Sequence, residues 1–163
     1  MAVEQGQPSI AAGGLTVDEQ ALHTLKQAVR GSVLRPAEDG FDSTRHIWNR
    51  MIDRNPAAIV RCVGAADVIA AVNFAREHNL VLAVRGGGHS AAGSSVCDRG
   101  LMIDLSLMKG IRVDPARRIA RGEPGVTQGE FDRETQTFGL AITGGVVSTT
   151  GIAGLTLGGG VGS

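Results

Sequence analysis

The chain has 163 residues, of which 42% are hydrophobic, and this is enough for one soluble globular domain with a core. Its 16 basic side chains balance 16 acidic ones, which argues against the broad positive field that binding of nucleic acid or an anionic membrane requires. No apolar run approaches the roughly 20 residues of a membrane span, and the N-terminus lacks the pattern of a signal peptide, so we expect a cytoplasmic protein.

The first part of the chain is predicted to be a tail followed by a helical segment. Residues 1–14 are small, polar and aperiodic, which favours a flexible tail. Within the segment 15–54, Thr16 is the expected N-cap of a helix that runs through Arg30, with Glu19 completing a capping box. Bulky apolar anchors follow this helix at Phe41, Ile47 and Trp48.

The remaining residues, 55–163, are predicted to form one domain in which strands and helices alternate. Hydrophobic periodicity and turn residues give the order of these elements. They are strands at 58–63, 81–85 and 101–105, helices at 65–78 and 127–138, and a hairpin of 111–114 with 118–121. The second helix should direct Phe131 and Phe138 inward, and residues 140–163 should form a coil around a short helical turn.

Glycine is unusually frequent and is clustered. The chain contains 24 glycines, many of which gather at 86–88, 144–145, 151–154 and 158–162. Clustered glycines beside apolar runs indicate close approach of the backbone to another group. Because the sequence stops inside the last cluster, we expect the domain to be truncated at its C-terminus. The two cysteines, Cys62 and Cys97, lack disulfide or zinc spacing and are expected to be free thiols.

A glycine-rich loop directly after the predicted strand 81–85 is the main candidate site. It reads Arg85-Gly86-Gly87-Gly88-His89-Ser90 and extends to Gly93. Glycine lets the chain turn sharply and bring backbone N–H groups against the oxygens of a pyrophosphate, and Ser90 adds a hydroxyl donor. The loop also satisfies a loose GxGxxA dinucleotide fingerprint. However, polar coil and a strand follow it, where a nicotinamide-binding Rossmann unit requires a long helix.

Several motifs together resemble a known protein family. They are Trp48-Asn49, Pro56 to Val60, the loop from Arg85 to Ser90, and Gly158 to Gly162. In this combination, residues 40–163 resemble the flavoprotein oxidases with a vanillyl-alcohol-oxidase-type FAD domain, in the branch of berberine bridge enzyme-like and 6-hydroxy-D-nicotine oxidase-like proteins. The resemblance implies an α+β fold, the PCMH-type FAD-binding domain with two α/β subdomains, here incomplete. A small mixed sheet would carry the loop, an antiparallel subdomain would begin with residues 101–121, and FAD would lie between them.

The resemblance also implies which residues bind the cofactor. In the family, the histidine of the RxGGH motif is bonded to the 8α-methyl carbon of FAD, which implies that role for His89; alternatively, His89 is a polar loop residue beside the cofactor. Many relatives have a cysteine as a second covalent anchor, but Val147 occupies its place here, so a single covalent bond is expected. The other implied residues are Arg85, Gly86, Gly87, Gly88, Ser90, Gly93, Asp104, Ser106, Thr143, Gly144, Gly145, Thr149, Thr150, Gly151 and Gly154.

Some polar residues have a plain structural interpretation. Asp104 could equally be a strand-end or turn residue rather than part of the cofactor site. The three other histidines have no carboxylate or cysteine at metal-ligand spacing, so surface or capping positions are expected and no metal site is predicted. They are His23, His46 and His78.

For the complete protein, the resemblance implies oxidation of a small organic substrate by hydride transfer to FAD, with dioxygen as the reoxidant. The residues that act on the substrate would lie beyond the end of the chain, so no catalytic residue is named. Two alternatives remain open: a Rossmann-type nicotinamide enzyme, and a non-catalytic fragment that binds flavin weakly or not at all. The 163-residue chain alone is expected to be inactive and poorly stable, because its sheet would be left open.

Overall fold

The computed structural model describes residues 18–162 and contains a four-stranded mixed sheet, a separate two-stranded hairpin and flanking helices. This mixed arrangement of strands and helices confirms the incomplete α+β fold that the sequence predicts. In chain order the elements are α1 Glu19–Ala28, β1 Ser32–Leu34, α2 Phe41–Arg45, β2 Ala58–Arg61, α3 Ala65–Glu77, β3 Leu82–Arg85, β4 Leu101–Asp104, β5 Ile111–Asp114, β6 Ile119–Gly122, α4 Gln128–Gln136 and α5 Ile152–Leu157.

The main sheet has the strand order β1-β2-β4-β3, so β4 lies at its centre. Strand β4 runs parallel to β2 and β3, whereas β1 is antiparallel to β2. Assignment of residues 101–104 to the antiparallel subdomain was therefore wrong; that subdomain begins with β5. All four residues of β4 are buried, which is typical of a central parallel strand that is covered on both faces.

Side chains that alternate along the central strands build a core on each face of this sheet. On one face, Val60 and Ile103 pack against α1 and α3 through residues such as Phe74. On the other face, Ile59 and Met102 pack against a cluster that includes Phe41, Ile47 and Val96. The predicted anchors Phe41 and Ile47 are therefore confirmed as core residues, whereas Trp48 is 62% exposed.

The first helix begins later and ends earlier than its sequence pattern suggested. Asp18 is its N-cap and accepts a hydrogen bond from the backbone N–H of Gln20 at 3.4 Å. The predicted cap, Thr16, and the predicted tail 1–14 lie outside the described residues. The helix ends at Ala28, because Val29 adopts an extended conformation that leads into β1.

The hairpin of β5 and β6 is antiparallel, as predicted, and α4 packs against it. Thr127 caps α4 in a reciprocal capping box with Glu130. Phe131 is buried, but Phe138 is 50% exposed because α4 ends at Gln136 and the chain turns away before it reaches the core. The inward orientation predicted for Phe138 was therefore wrong.

Other sequence-based expectations concern the thiols, the histidines and membrane spans. Cys62 and Cys97 are both buried free thiols, as predicted. His46 and His78 are the C-cap residues of α2 and α3, and His23 is exposed on α1, which confirms their capping and surface positions. Among residues 18–162, the helices are all too short or too polar to traverse a lipid bilayer.

Candidate functional site

The glycine loop, which we define as residues 86–92, leaves the sheet at the carboxyl end of β3. Within the part of the chain that the structure describes, no backbone N–H group of this loop donates a hydrogen bond to another residue. Backbone donors that remain unpaired are rare in folded proteins unless a ligand or water accepts from them. The loop therefore presents a row of donors suited to an anion.

Two glycines of the loop are required by contacts within the protein. A Cβ atom on Gly86 would lie 2.8 Å from the carbonyl oxygen of Pro124, and one on Gly87 would lie 2.5 Å from both Cα and N of Gly151. The sequence predicted close approach of the loop backbone to a ligand. The structure shows that, at these two positions, the close approach is to the second subdomain, so the glycines join the two halves of the site.

Gly88 lies directly against the side chain of Arg85, the residue that precedes the loop. Its φ angle is +71°, and a Cβ atom there would lie 2.7 Å from Nε of Arg85, so the Arg85 guanidinium lies directly beneath Gly88. This Nε atom is buried and has no hydrogen-bond partner among the described residues. A positively charged group is therefore fixed against the underside of the loop.

Asp104 holds this arginine in place. Arg61, Asp104 and Arg85 are register partners at the carboxyl ends of β2, β4 and β3. The Asp104 carboxylate is fully buried and accepts hydrogen bonds from Nε of Arg61 and from a terminal nitrogen of Arg85, both at 3.2 Å. Ser106 donates to the same carboxylate at 2.8 Å. One carboxylate between two guanidinium groups leaves an excess of positive charge at this edge of the sheet.

His89 is half-buried in the glycine loop and packs against Trp48. Its imidazole is stacked on the indole of Trp48, with ring centroids 4.7 Å apart and an interplanar angle of 21°. The Nε2 atom of His89 is buried and has no hydrogen-bond partner among the described residues. A buried, unpartnered ring nitrogen is a polar atom that a bound group or an ordered water would satisfy.

Two clefts meet at His89. The large cleft has a volume of about 520 Å³ and lies between the glycine loop and the second subdomain. Its lining residues are Gly86, Gly87, Gly88, His89, Ser90, Ala91, Ser94, Thr150, Gly151, Gly154, Leu155, Gly158 and Gly160. The small cleft, of about 320 Å³, shares three loop residues with the large one; it is lined by Ser43, His46, Ile47, Trp48, Arg50, Arg85, Gly87, Gly88, His89 and Thr149.

The structure brings about half of the predicted site residues to the large cleft. These are Gly86, Gly87, Gly88, His89, Ser90, Thr150, Gly151 and Gly154. Arg85 and Thr149 face the small cleft, and Thr143 and Gly144 line an apolar cleft of about 410 Å³ beside the hairpin. Four others lie outside the clefts: Gly93 packs on Ile52, Gly145 on Leu155, and Asp104 and Ser106 lie beneath the loop.

The hydroxyl of Ser90 is already used within the loop. Its Oγ accepts a hydrogen bond from the backbone N–H of Ser94 at 3.1 Å and lies 3.0 Å from the Ser94 hydroxyl. Ser90 therefore closes the turn as well as facing the large cleft. Ser94, Leu155, Gly158 and Gly160 line the same cleft but were not predicted as site residues, although the glycine cluster at 158–162 was visible in the sequence.

The geometry of the described residues supports neither a metal site nor a Rossmann-type nicotinamide site. No group of three or more potential metal ligands occurs among the described residues. Between β3 and β4, residues 86–100 contain no helix, so the helix that a Rossmann nicotinamide site requires after its glycine loop is absent there. The nicotinamide alternative is therefore wrong for this loop.

Comparison with known proteins identifies the domain type. Residues 56–163 match a family model described as "FAD binding domain". Among curated proteins, the chain is 40% identical over 144 residues to an FAD-linked oxidoreductase of Dictyostelium discoideum, a match that covers 88% of this chain and 31% of that protein. It is 38% identical over 135 residues to (R)-6-hydroxynicotine oxidase of Paenarthrobacter nicotinovorans, covering 83% of this chain and 30% of the relative.

Solved structures agree with this assignment. A crystal structure of 6-hydroxy-D-nicotine oxidase from Arthrobacter nicotinovorans superposes with a TM-score of 0.80 and 39% identity, over 82% of this chain and 30% of that one. A BBE-like protein of Physcomitrella patens superposes with a TM-score of 0.77 and 26% identity, over 82% and 29% of the two chains. The chain thus spans about 30% of the length of the relatives it matches.

Proposed function

Since the chain belongs to the family of FAD binding domains, we propose that it forms the FAD-binding part of an oxidoreductase that oxidises a small organic substrate. The observation that carries this proposal is the large cleft, in which unpaired backbone donors of the glycine loop face Thr150 and Gly151 of the second subdomain. The relatives named as FAD-linked oxidoreductases and oxidases support it.

The residues of the large cleft fit the charged part of the cofactor. Backbone N–H groups from Gly86 to Ser90 would hold the pyrophosphate, and Thr150 would supply a hydroxyl from the opposite wall. Among the described residues, none that lines this cleft carries a carboxylate, so two phosphate groups would meet no like charge from them. The guanidinium of Arg85 beneath the loop adds a favourable positive field. When bound, FAD supplies a ring system that accepts a hydride from the substrate.

We further propose that His89 is the single covalent anchor of the cofactor. This proposal is supported by the Nε2 atom of His89, which is buried and has no hydrogen-bond partner among the described residues. Bond formation would join an imidazole nitrogen to the 8α-methyl carbon in place of one methyl hydrogen. The methyl hydrogen and the imidazole N–H hydrogen would leave as protons. The two electrons released would reduce the flavin, and dioxygen would then accept them. Val147, which stands where relatives have a second anchor, cannot form a thioether.

Dioxygen is also the electron acceptor that we propose for turnover, and the substrate is a small organic molecule. The names of the relatives and neighbours support this: they include a 6-hydroxynicotine oxidase, a chitooligosaccharide oxidase and a carbohydrate oxidase. These names cover very different substrates.

Acid precipitation of the protein as its gene encodes it tests the assignment. The wild type should give a yellow pellet, because a covalent bond survives denaturation, whereas His89→Ala should release its flavin into the supernatant. His23→Ala is the matched control, since His23 is exposed on α1 and away from both clefts. A colourless wild-type pellet with yellow supernatant would overturn covalent attachment, and a wild type without any flavin would overturn the FAD assignment.

A further inference from the structure

We propose that Trp48 and Asn49, which we call the strap, are positioning residues that hold His89 in the orientation required for flavin attachment. This inference rests on the covalent attachment proposed above. The strap lies outside residues 56–163, the part of the chain that matches the FAD binding domain family. It precedes β2 and lines the small cleft together with the glycine loop.

Two hydrogen bonds fasten the strap to the loop on either side of His89. The backbone N–H of Trp48 donates to the carbonyl of Gly88 at 2.8 Å. The Asn49 side-chain amide donates to the carbonyl of Ala91, also at 2.8 Å. Because the N–H groups of the glycine loop donate to no other described residue, these two carbonyl contacts restrain the short segment 88–91 that carries His89.

The indole of Trp48 orients the imidazole itself. No hydrogen bond to either ring nitrogen of His89 is present among the described residues, so the stacked indole at 4.7 Å is the contact that sets the plane of the ring. Trp48 is 62% exposed and does not contribute to either core cluster. Exposure of a large apolar ring to water is unfavourable in free energy. Stacking on His89 offers a reason why the indole of Trp48 occupies this exposed position.

Orientation matters for attachment because the imidazole has to direct one nitrogen at one carbon atom. A nucleophile that rotates freely spends most of its time in unproductive orientations, and small misplacements reduce rates by ~10²-fold in enzyme sites. Removing the indole should therefore slow bond formation while leaving the backbone donors that bind FAD in place. The rate of attachment and the affinity for FAD should respond differently, which a purely structural role would not produce.

The test follows attachment in the protein as its gene encodes it, prepared without flavin and then mixed with FAD. Acid-precipitable flavin is measured over time, and the dissociation constant of FAD is measured separately at early times. For Trp48→Leu, which keeps apolar bulk but removes the aromatic ring, we expect attachment ~10-fold slower or more, with less than about a threefold change in the dissociation constant. Trp48→Phe, which restores a stacking ring, should remain within about threefold of the wild-type rate.

Matched controls separate the strap from general surface effects. Phe138→Leu removes an aromatic ring that is also half-exposed but lies after α4, away from both clefts, and should attach FAD at the wild-type rate. Asn49→Ala should slow attachment, whereas Asn73→Ala, on α3, should not, since the side-chain partner of Asn73 among the described residues is Arg76 in the same helix.

The outcomes distinguish this inference from the proposed function. If the wild type attaches FAD and Trp48→Leu does so equally fast, the strap has no positioning role. A Trp48→Leu protein whose FAD affinity falls in parallel with its attachment rate would show a general binding defect and overturn the inference as well. If the wild type binds FAD but never forms an acid-stable bond, the proposed attachment fails, and the inference fails with it.

Discussion

Gly87 and Gly151 lie back to back. A Cβ atom added to Gly87 would be 2.5 Å from Cα of Gly151, and one added to Gly151 would be 2.5 Å from the backbone nitrogen of Gly87. One residue belongs to the glycine loop and the other is the N-cap of α5, so this contact joins the two walls of the large cleft. The width of the cleft therefore depends on the absence of two side chains.

Gly151→Ala should destabilise the protein through this contact. The backbone at Gly151 has φ −70°, which alanine adopts without strain, so the effect comes from steric overlap alone. Overpacking of this kind costs about 1–3 kcal/mol, to be measured as the free energy of unfolding in urea, and the displaced wall should also weaken FAD binding. Gly154→Ala is the control for stability, because a Cβ atom there meets no atom within 4 Å. If Gly151→Ala, Gly154→Ala and the wild type had equal free energies of unfolding, the close contact between Gly87 and Gly151 would be contradicted.

Asp104→Asn should show how strongly the buried carboxylate holds the two arginines. Loss of the charge leaves Arg61 and Arg85 next to each other without compensation, and breaking a buried pair costs ~3–5 kcal/mol. We expect roughly 2–4 kcal/mol by chemical denaturation, because the Arg61 side chain is 31% exposed and partly screened. Asp114→Asn, which affects an exposed pair with Arg117, should change stability by less than about 0.5 kcal/mol.

The thiol of Cys62 should be inert in the native protein. Burial, and to a lesser extent the nearby carboxylates of Asp67 and Asp104, raise its pKa from the usual 9.0 to about 12. At pH 8 the reactive thiolate should therefore be about a thousandfold scarcer than for a free thiol. Peptide mass spectrometry after iodoacetamide treatment should find Cys62 unmodified in buffer and fully modified in urea. Rapid alkylation under native conditions would show that the core around β2 opens readily.

The sequence predicted the elements of this fold better than their arrangement. Apolar runs located the strands that became β2, β3 and β4, because each is a local pattern. The position of β4 between the other two depends on pairing between distant residues, which local patterns do not contain. Strand β1 was missed because three residues are too few to show a period.

The same distinction applies to the candidate site. The glycine loop was predicted because its donors and its histidine are adjacent in the chain. The roles of Asp104 and of the strap were not, because they arise from contacts across the fold; Asn49 bonds to a residue 42 positions away. Asp104 is the last residue of a buried strand, a pattern that suits a ligand residue as well as the internal ion pair that the structure shows.

Asp67 connects three separate parts of the backbone. Its buried carboxylate accepts hydrogen bonds from the N–H groups of Arg30 at 2.9 Å, Gly31 at 3.2 Å and Val63 at 2.9 Å. Burial alone would raise the pKa of Asp67. The three backbone donors and the charge of Arg30 oppose this, and the net result is a pKa below the usual value.

Asp67→Asn should therefore remove part of the acid sensitivity of the protein. A carboxylate whose pKa is lower in the folded than in the unfolded state stabilises the fold fully at pH values above its unfolded pKa of about 3.9. This stabilisation disappears as the pH falls through the folded-state pKa. Near neutral pH the variant should be less stable by roughly 2–3 kcal/mol, since the amide replaces an acceptor of charge-assisted hydrogen bonds. The difference from wild type, measured by urea unfolding, should narrow steadily from pH 5 toward pH 2. Asp39→Asn, at an exposed position, should follow the wild type throughout. A stability difference that stayed constant down to pH 2 would show that the charge of Asp67 contributes nothing.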